Sequence, residues 1–89
     1  MESKTTAKFR ALLSVAPQHV QIKAKAAYAL WFENPEHPSL RFKKVHESLP
    51  IYSVRINLNW RAVGTLQKNI MIWFWVGSHR DYEKLLSQI

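Results

Sequence analysis

The chain contains no cysteine, only two glycines among its 89 residues, and only 6 acidic side chains against 13 lysines and arginines. Without cysteine there is neither a disulfide scaffold nor a thiolate zinc site. With Gly64 and Gly77 as the only glycines, no glycine-rich phosphate loop can form. The four histidines, His19, His37, His46 and His79, show no i,i+4 pairing or ligand spacing, so no metal or other cofactor is expected. No apolar run approaches the roughly 20 residues of a membrane-spanning helix, and no secretory signal pattern opens the sequence. The expected location is therefore the cytoplasm, with no membrane partner.

What is present is apolar and basic. Hydrophobic residues make up 47% of the chain, with four Trp, four Phe and three Tyr, which suits a folded globule rather than a disordered tail. At this length there is room for one domain, residues 1–89, around one modest core. The net charge of +7 points to an anionic partner, nucleic acid first.

The segment around which the rest is organised is Ile70–Tyr82, IMIWFWVGSHRDY. Seven apolar residues, rich in aromatic and β-branched types, predict a buried strand over Ile70–Val76. Gly77 ends it, and Ser78 is placed as the N-cap of a helix whose first turn carries Asp81. His79 thus falls at the mouth of a helix just past a buried strand, where a polar side chain can be held rigidly and still meet a ligand.

Along the chain, Phe9, Leu12, Leu13 and Ala16 form a helical stripe that predicts a helix over Thr5–Ala16. Pro17 ends it and opens a second helix to about Glu33, with Val20, Ala24, Ala27 and Trp31 in register. Two such helices with a tight link predict an antiparallel hairpin. The period then becomes extended, giving strands over Arg41–His46, Ile51–Ile56, Trp60–Leu66 and Ile70–Val76. In the second of these, Tyr52, Val54 and Ile56 face one way and Ser53 and Arg55 the other. Tyr82, Leu85, Leu86 and Ile89 mark the last helix. The expected class is α+β: a helical hairpin on a small, mostly antiparallel four-stranded sheet with a short C-terminal helix.

The runs HPSLRFKKV (37–45), YSVRINLNWRAVG (52–64) and WFWVGSHRDYEKLL (73–86) resemble the RelE/ParE toxin superfamily of type II toxin–antitoxin systems, and its RelE-like branch of cytotoxic translational repressors most. The resemblance covers essentially the whole chain. It implies a metal-independent endoribonuclease that cuts mRNA, usually on the ribosome, and that a cognate antitoxin neutralises in a toxin–antitoxin hetero-oligomer. It also leaves room for a ParE-type toxin that inhibits DNA gyrase without being a nuclease, and for a decayed toxin kept as an antitoxin-binding module.

Carried over position by position, the resemblance makes His79, Arg61 and Arg55 the catalytic set. Cleavage activates a ribose 2′-OH against the adjacent phosphate, stabilises the crowded phosphorane charge and protonates the departing 5′-oxygen, which requires proton-transfer groups and fixed cations. Guanidinium forks suit the phosphate better than an ammonium does. Against this, His79 could simply cap its helix, and either arginine could pair with Glu47 or Asp81. Lys43, Lys44 and His46 are expected to face RNA, although alternation sends the two lysines to opposite faces. Tyr82 matches a C-terminal aromatic of some relatives and is a candidate RNA contact, but it also continues the Leu85, Leu86 and Ile89 stripe of the last helix, which favours a core role. Trp73 and Trp75 are expected to offer a bare aromatic face for the antitoxin, unless the C-terminal helix covers it. Some relatives carry an acid directly before the third-strand aromatic; here Asn59 stands there and cannot transfer a proton.

Overall fold

The computed structural model describes residues 2–89. Its elements run β1 (Glu2–Thr5), α1 (Ala7–Ser14), α2 (Gln18–Glu33), a 3-10 turn (Pro38–Leu40), β2 (Lys43–Lys44), β3 (Ile51–Asn57), β4 (Trp60–Gln67), β5 (Ile70–Ser78) and α3 (His79–Gln88). The strands form one sheet in the order β1-β5-β4-β3-β2, antiparallel except where β1 runs parallel to β5. The α+β class and the helical hairpin agree with the sequence reading, but the sheet has five strands instead of four.

The additional strand is β1. Its ESKT segment has no apolar periodicity and joins the sheet by backbone pairing alone, with Ser3 opposite Met71 and Thr5 opposite Trp73. Consequently α1 starts at Ala7 rather than Thr5. Thr6 is its N-cap, accepting from the Phe9 amide at 3.1 Å. The expected strand Arg41–His46 shrinks to two residues for local reasons. Arg41 takes a left-handed conformation (φ 46°) that closes the 3-10 turn. His46 Nδ1 accepts from the amides of Ser48 and Leu49 at 3.1 and 2.9 Å, turning the chain toward β3. The β4–β5 connection is a two-residue turn, Lys68-Asn69, both at positive φ, as tight hairpins favour.

The two faces of the sheet are covered unequally. Under α1 and α2 lies the larger core, in which Val20, Ala24 and Trp31 meet Val54, Ile56, Ala62, Met71, Trp73 and Val76. Trp31 and Trp73 meet edge to face, with ring centroids 5.3 Å apart. Gly64 is required there: a Cβ would lie 2.8 Å from the Trp73 ring and 3.0 Å from the Met71 sulfur. The other face holds a smaller cluster of Ile51, Val63 and Tyr82, flanked by Val45, Phe74, Trp75, Leu85 and Leu86, under α3 alone.

A β-bulge decides which tryptophan goes where. Val63 pairs with Trp75 and Gly64 with Trp73, so Phe74 is the extra residue on β5. Strict alternation would put Met71, Trp73 and Trp75 on one side. The bulge instead leaves Met71 and Trp73 under the helical hairpin and turns Trp75 to the α3 side. Trp73 is only 2% exposed, which corrects the expectation of a bare Trp73/Trp75 face.

Candidate nucleic-acid interface

Pairing places Gly77 beside Arg61 and Arg61 beside Arg55, so three neighbouring strands present these residues in one row. The row lies on the α3 side, because Ser53 and Val63, two residues from Arg55 and Arg61, belong to the environment of Tyr82. Burial pulls Arg61 below the usual arginine value, and nearby Arg55 adds to this; the Tyr82 hydroxyl opposes it, and Arg41 lowers it further. A guanidinium so placed still carries its charge. Arg41 thus joins the row's charge although it sits on the left-handed residue ahead of β2.

This positive cluster has no carboxylate to balance it. Among the described residues the one ion pair within 4.0 Å is His79–Glu83, so no arginine is paired with an acid. The expected alternatives for Arg55 and Arg61, partners in Glu47 or Asp81, do not form. Arg61 has structural work as well: its Nη1 donates to the carbonyls of Asn57 at 2.8 Å and Trp60 at 3.0 Å, bracing the β3–β4 turn. Its Nη2 and Nε make no hydrogen bond among the described residues, and a fork with free donors beside unbalanced charge is suited to an anion.

At the end of the row, α3 begins as the sequence indicates. Ser78 Oγ accepts from the Asp81 amide at 3.2 Å. The His79 amide donates to the Asn59 carbonyl at 2.6 Å, fastening the helix start to the β3–β4 turn that Arg61 braces. The exposed His79 ring lies 3.2 Å from Glu83 Oε1, one turn along α3. Sequence reasoning missed Glu83, although its i,i+4 spacing from His79 could have revealed it. Arg41 was not legible, because its position depends on a turn conformation. The helix is seated by Tyr82, buried with its hydroxyl donating to Ser53 Oγ at 3.0 Å. Trp75 walls the glycine end: a Cβ on Gly77 would fall 2.6 Å from its indole carbons.

The other expected residues separate by face. Lys43 pairs with Ser53 and so shares the arginine side, whereas Lys44 pairs with Tyr52 on the opposite side, its Nζ donating to the Glu47 carbonyl at 3.3 Å. His46 uses both ring nitrogens internally: with Nδ1 accepting two amides, Nε2–H is the donor to the Ile89 carbonyl at 2.8 Å. Tyr82 is a core residue whose hydroxyl is already bonded. Asn59 sits exposed at the turn, its backbone joined to His79. Among the described residues no group of three or more His, Asp or Glu side chains could hold a metal ion.

These features define a small basic α+β domain with an arginine row, unpaired with acids, at one end of its sheet. The family model of the ParE-like toxin domain matches residues 18–84, the greater part of the chain, and the protein belongs to that family. Among solved structures the fold is similar to YafQ from E. coli strain BL21(DE3), at 13% identity over 91% of this chain and 96% of that one, with a TM-score of 0.73. It is equally similar to a chain of the RelB–RelE antitoxin–toxin complex from Methanococcus jannaschii, at 16% identity, 91% and 95% coverage, and a TM-score of 0.73. A chain of the E. coli DinJ–YafQ complex gives 13% identity, 90% and 94% coverage, and again 0.73. At such identities the likeness is one of fold. A sequence search among curated proteins finds no match.

Proposed function

We propose that this chain is the toxin of a type II toxin–antitoxin system and a metal-independent endoribonuclease acting on mRNA, on the ribosome, in the cytoplasm. The observation that carries the reading is the unpaired Arg61–Arg55 row with His79 at its end. The His79 imidazole takes the proton of a ribose 2′-OH, whose oxygen attacks the adjacent phosphorus. The P–O5′ bond breaks, leaving a 2′,3′-cyclic phosphate and a 5′-hydroxyl. Arg61 and Arg55 hold the phosphorane charge. Because Asn59 cannot give a proton, the departing oxygen is stabilised by the arginines and protonated by the imidazolium that His79 has become, or by water. Glu83 orients the His79 ring. Lys43 contacts the RNA backbone on the same face; Lys44 and His46 contribute through the loop they shape, and Tyr82 by seating α3.

The partner that silences such a toxin is an antitoxin, as RelB is to RelE and DinJ to YafQ in the complexes named above. With Trp73 buried and Trp75 half-covered, its apolar contact is better sought on the helical hairpin. Ile22, Tyr28 and Phe32 are exposed there beside an open, mostly apolar cleft of about 500 Å³ that Lys25 and Arg10 also line. An acidic amphipathic segment matches that chemistry.

One observation favours a second reading, inhibition of DNA gyrase, since the matching family model is the ParE-like one. Pulsed expression with mapping of mRNA 5′ ends separates the two. Ribosome-phased cuts support the nuclease, and intact mRNA with blocked supercoiling supports the gyrase inhibitor. Intact mRNA with normal supercoiling and normal growth would leave only a decayed, antitoxin-binding module.

A further inference from the structure

The two-residue length of β2 has a consequence at the edge of the sheet. It pairs only Tyr52 and Ser53 of β3, so the outer edge of β3 beyond them, toward Arg55–Asn57, has no strand beside it. There an open cleft of about 480 Å³ lies between α2 and the end of β3. Its lining combines two chemistries. Leu30, Leu40, Ile56 and the 69% exposed Leu58 supply an apolar wall and Lys23 supplies positive charge, while Arg55 borders the cleft at the strand edge. Arg55 is common to this cleft and to the Arg61 row, so the two sites adjoin.

We infer that this cleft is a subsite for a nucleotide flanking the scissile phosphate, its base lying against the Leu58 wall and its phosphate beside Lys23, at the strand edge that carries Arg55. The inference rests on the RNA reading given above. Single-stranded nucleic acid is held where cations neutralise its backbone and a side-chain surface shields a base face from water, a part usually played by aromatic rings and here by the leucines. The alternatives fit less well. An acidic peptide would leave the Leu30, Leu40 and Leu58 wall unused unless it were amphipathic, and such a segment has the larger cleft on the hairpin. A free anion needs no apolar wall.

The test uses the full chain and fluorescein-labelled 2′-O-methyl oligouridines, which cannot be cleaved because the attacking hydroxyl is blocked. Ala26 is exposed on α2 and lines the cleft, so Ala26→Trp should fill it. Lys23→Glu and Leu58→Ser alter exposed side chains and provide variants that keep the fold if the tryptophan does not. Each variant should bind a hexamer at least about fivefold more weakly than wild type while binding a dimer equally well, Ala26→Trp and Leu58→Ser through the lost base contact and Lys23→Glu through the lost phosphate contact. If the folded variants bind the hexamer with wild-type affinity while Arg61→Ala weakens it, the subsite is overturned and the RNA reading stands. If wild type itself binds neither oligonucleotide in dilute buffer, both are overturned.

Discussion

The two faces of the sheet have been put to different uses. The hairpin face carries the larger core: two helices lie over it, and Trp31 and Trp73 are each 2% exposed at its centre. Neither indole N–H has a hydrogen-bond acceptor among the described residues. The other face has one short helix over its middle and leaves the Gly77–Arg61–Arg55 row open at the end. Placing three arginines near one another without a carboxylate opposes folding. The hairpin face supplies the stability that lets the open end keep this arrangement, which implies that substitutions on the first face should act on stability and those on the second on activity.

The sharpest way to break that division is at the hairpin core. Trp73→Ala should lower stability by about 3–5 kcal/mol, read by chemical denaturation, because a large buried side chain is lost and its neighbours cannot close the gap. A loss below 1 kcal/mol would show that Trp73 is not the keystone of that face. Gly64→Ala should cost about 1–3 kcal/mol through overpacking, since the new methyl meets the Trp73 ring, the Met71 sulfur and the Ile72 carbonyl together. A thermal midpoint equal to wild type would contradict that crowding.

On the open side the expected stability effects are smaller. Tyr82→Phe removes the buried hydroxyl bond to Ser53 and should cost about 1 kcal/mol, with Ser53→Ala in the same background adding little. A double-mutant cycle showing full additivity would mean that the two hydroxyls are not coupled. Lys43→Gln should leave the unfolding midpoint unchanged but flatten the salt dependence of RNA binding, as one phosphate contact fewer releases fewer counterions; Lys44→Gln, on the other side, should flatten it less. Equal slopes for the two variants would dissolve the distinction between faces at β2.

Much of this arrangement is legible in the sequence, and what is not has physical causes. The hairpin, β3 to β5, the Ser78 cap with Asp81 and the alternation in β3 follow from periodicity and capping chemistry, which are local. β1 has no pattern to read, because an edge strand that pairs by backbone alone can carry ESKT as readily as an apolar run. The bulge at Phe74 is also silent: no local residue type announces it, yet it moves Trp75 to the opposite face from Trp73. Of the candidate site, His79, Arg61 and Arg55 could be named from motifs. Arg41 could not, because a left-handed turn and a truncated β2 bring it near.

The central claim, that the open end of the sheet cuts RNA, is tested most directly by pulsed expression of wild type and His79→Ala at matched levels with mapping of mRNA 5′ ends. The account predicts ribosome-phased cuts with wild type, a loss of about 10²–10⁴-fold in cutting for His79→Ala, as for a removed acid or base, and unchanged thermal stability in the variant. The same cuts at the same frequency from both proteins would contradict it.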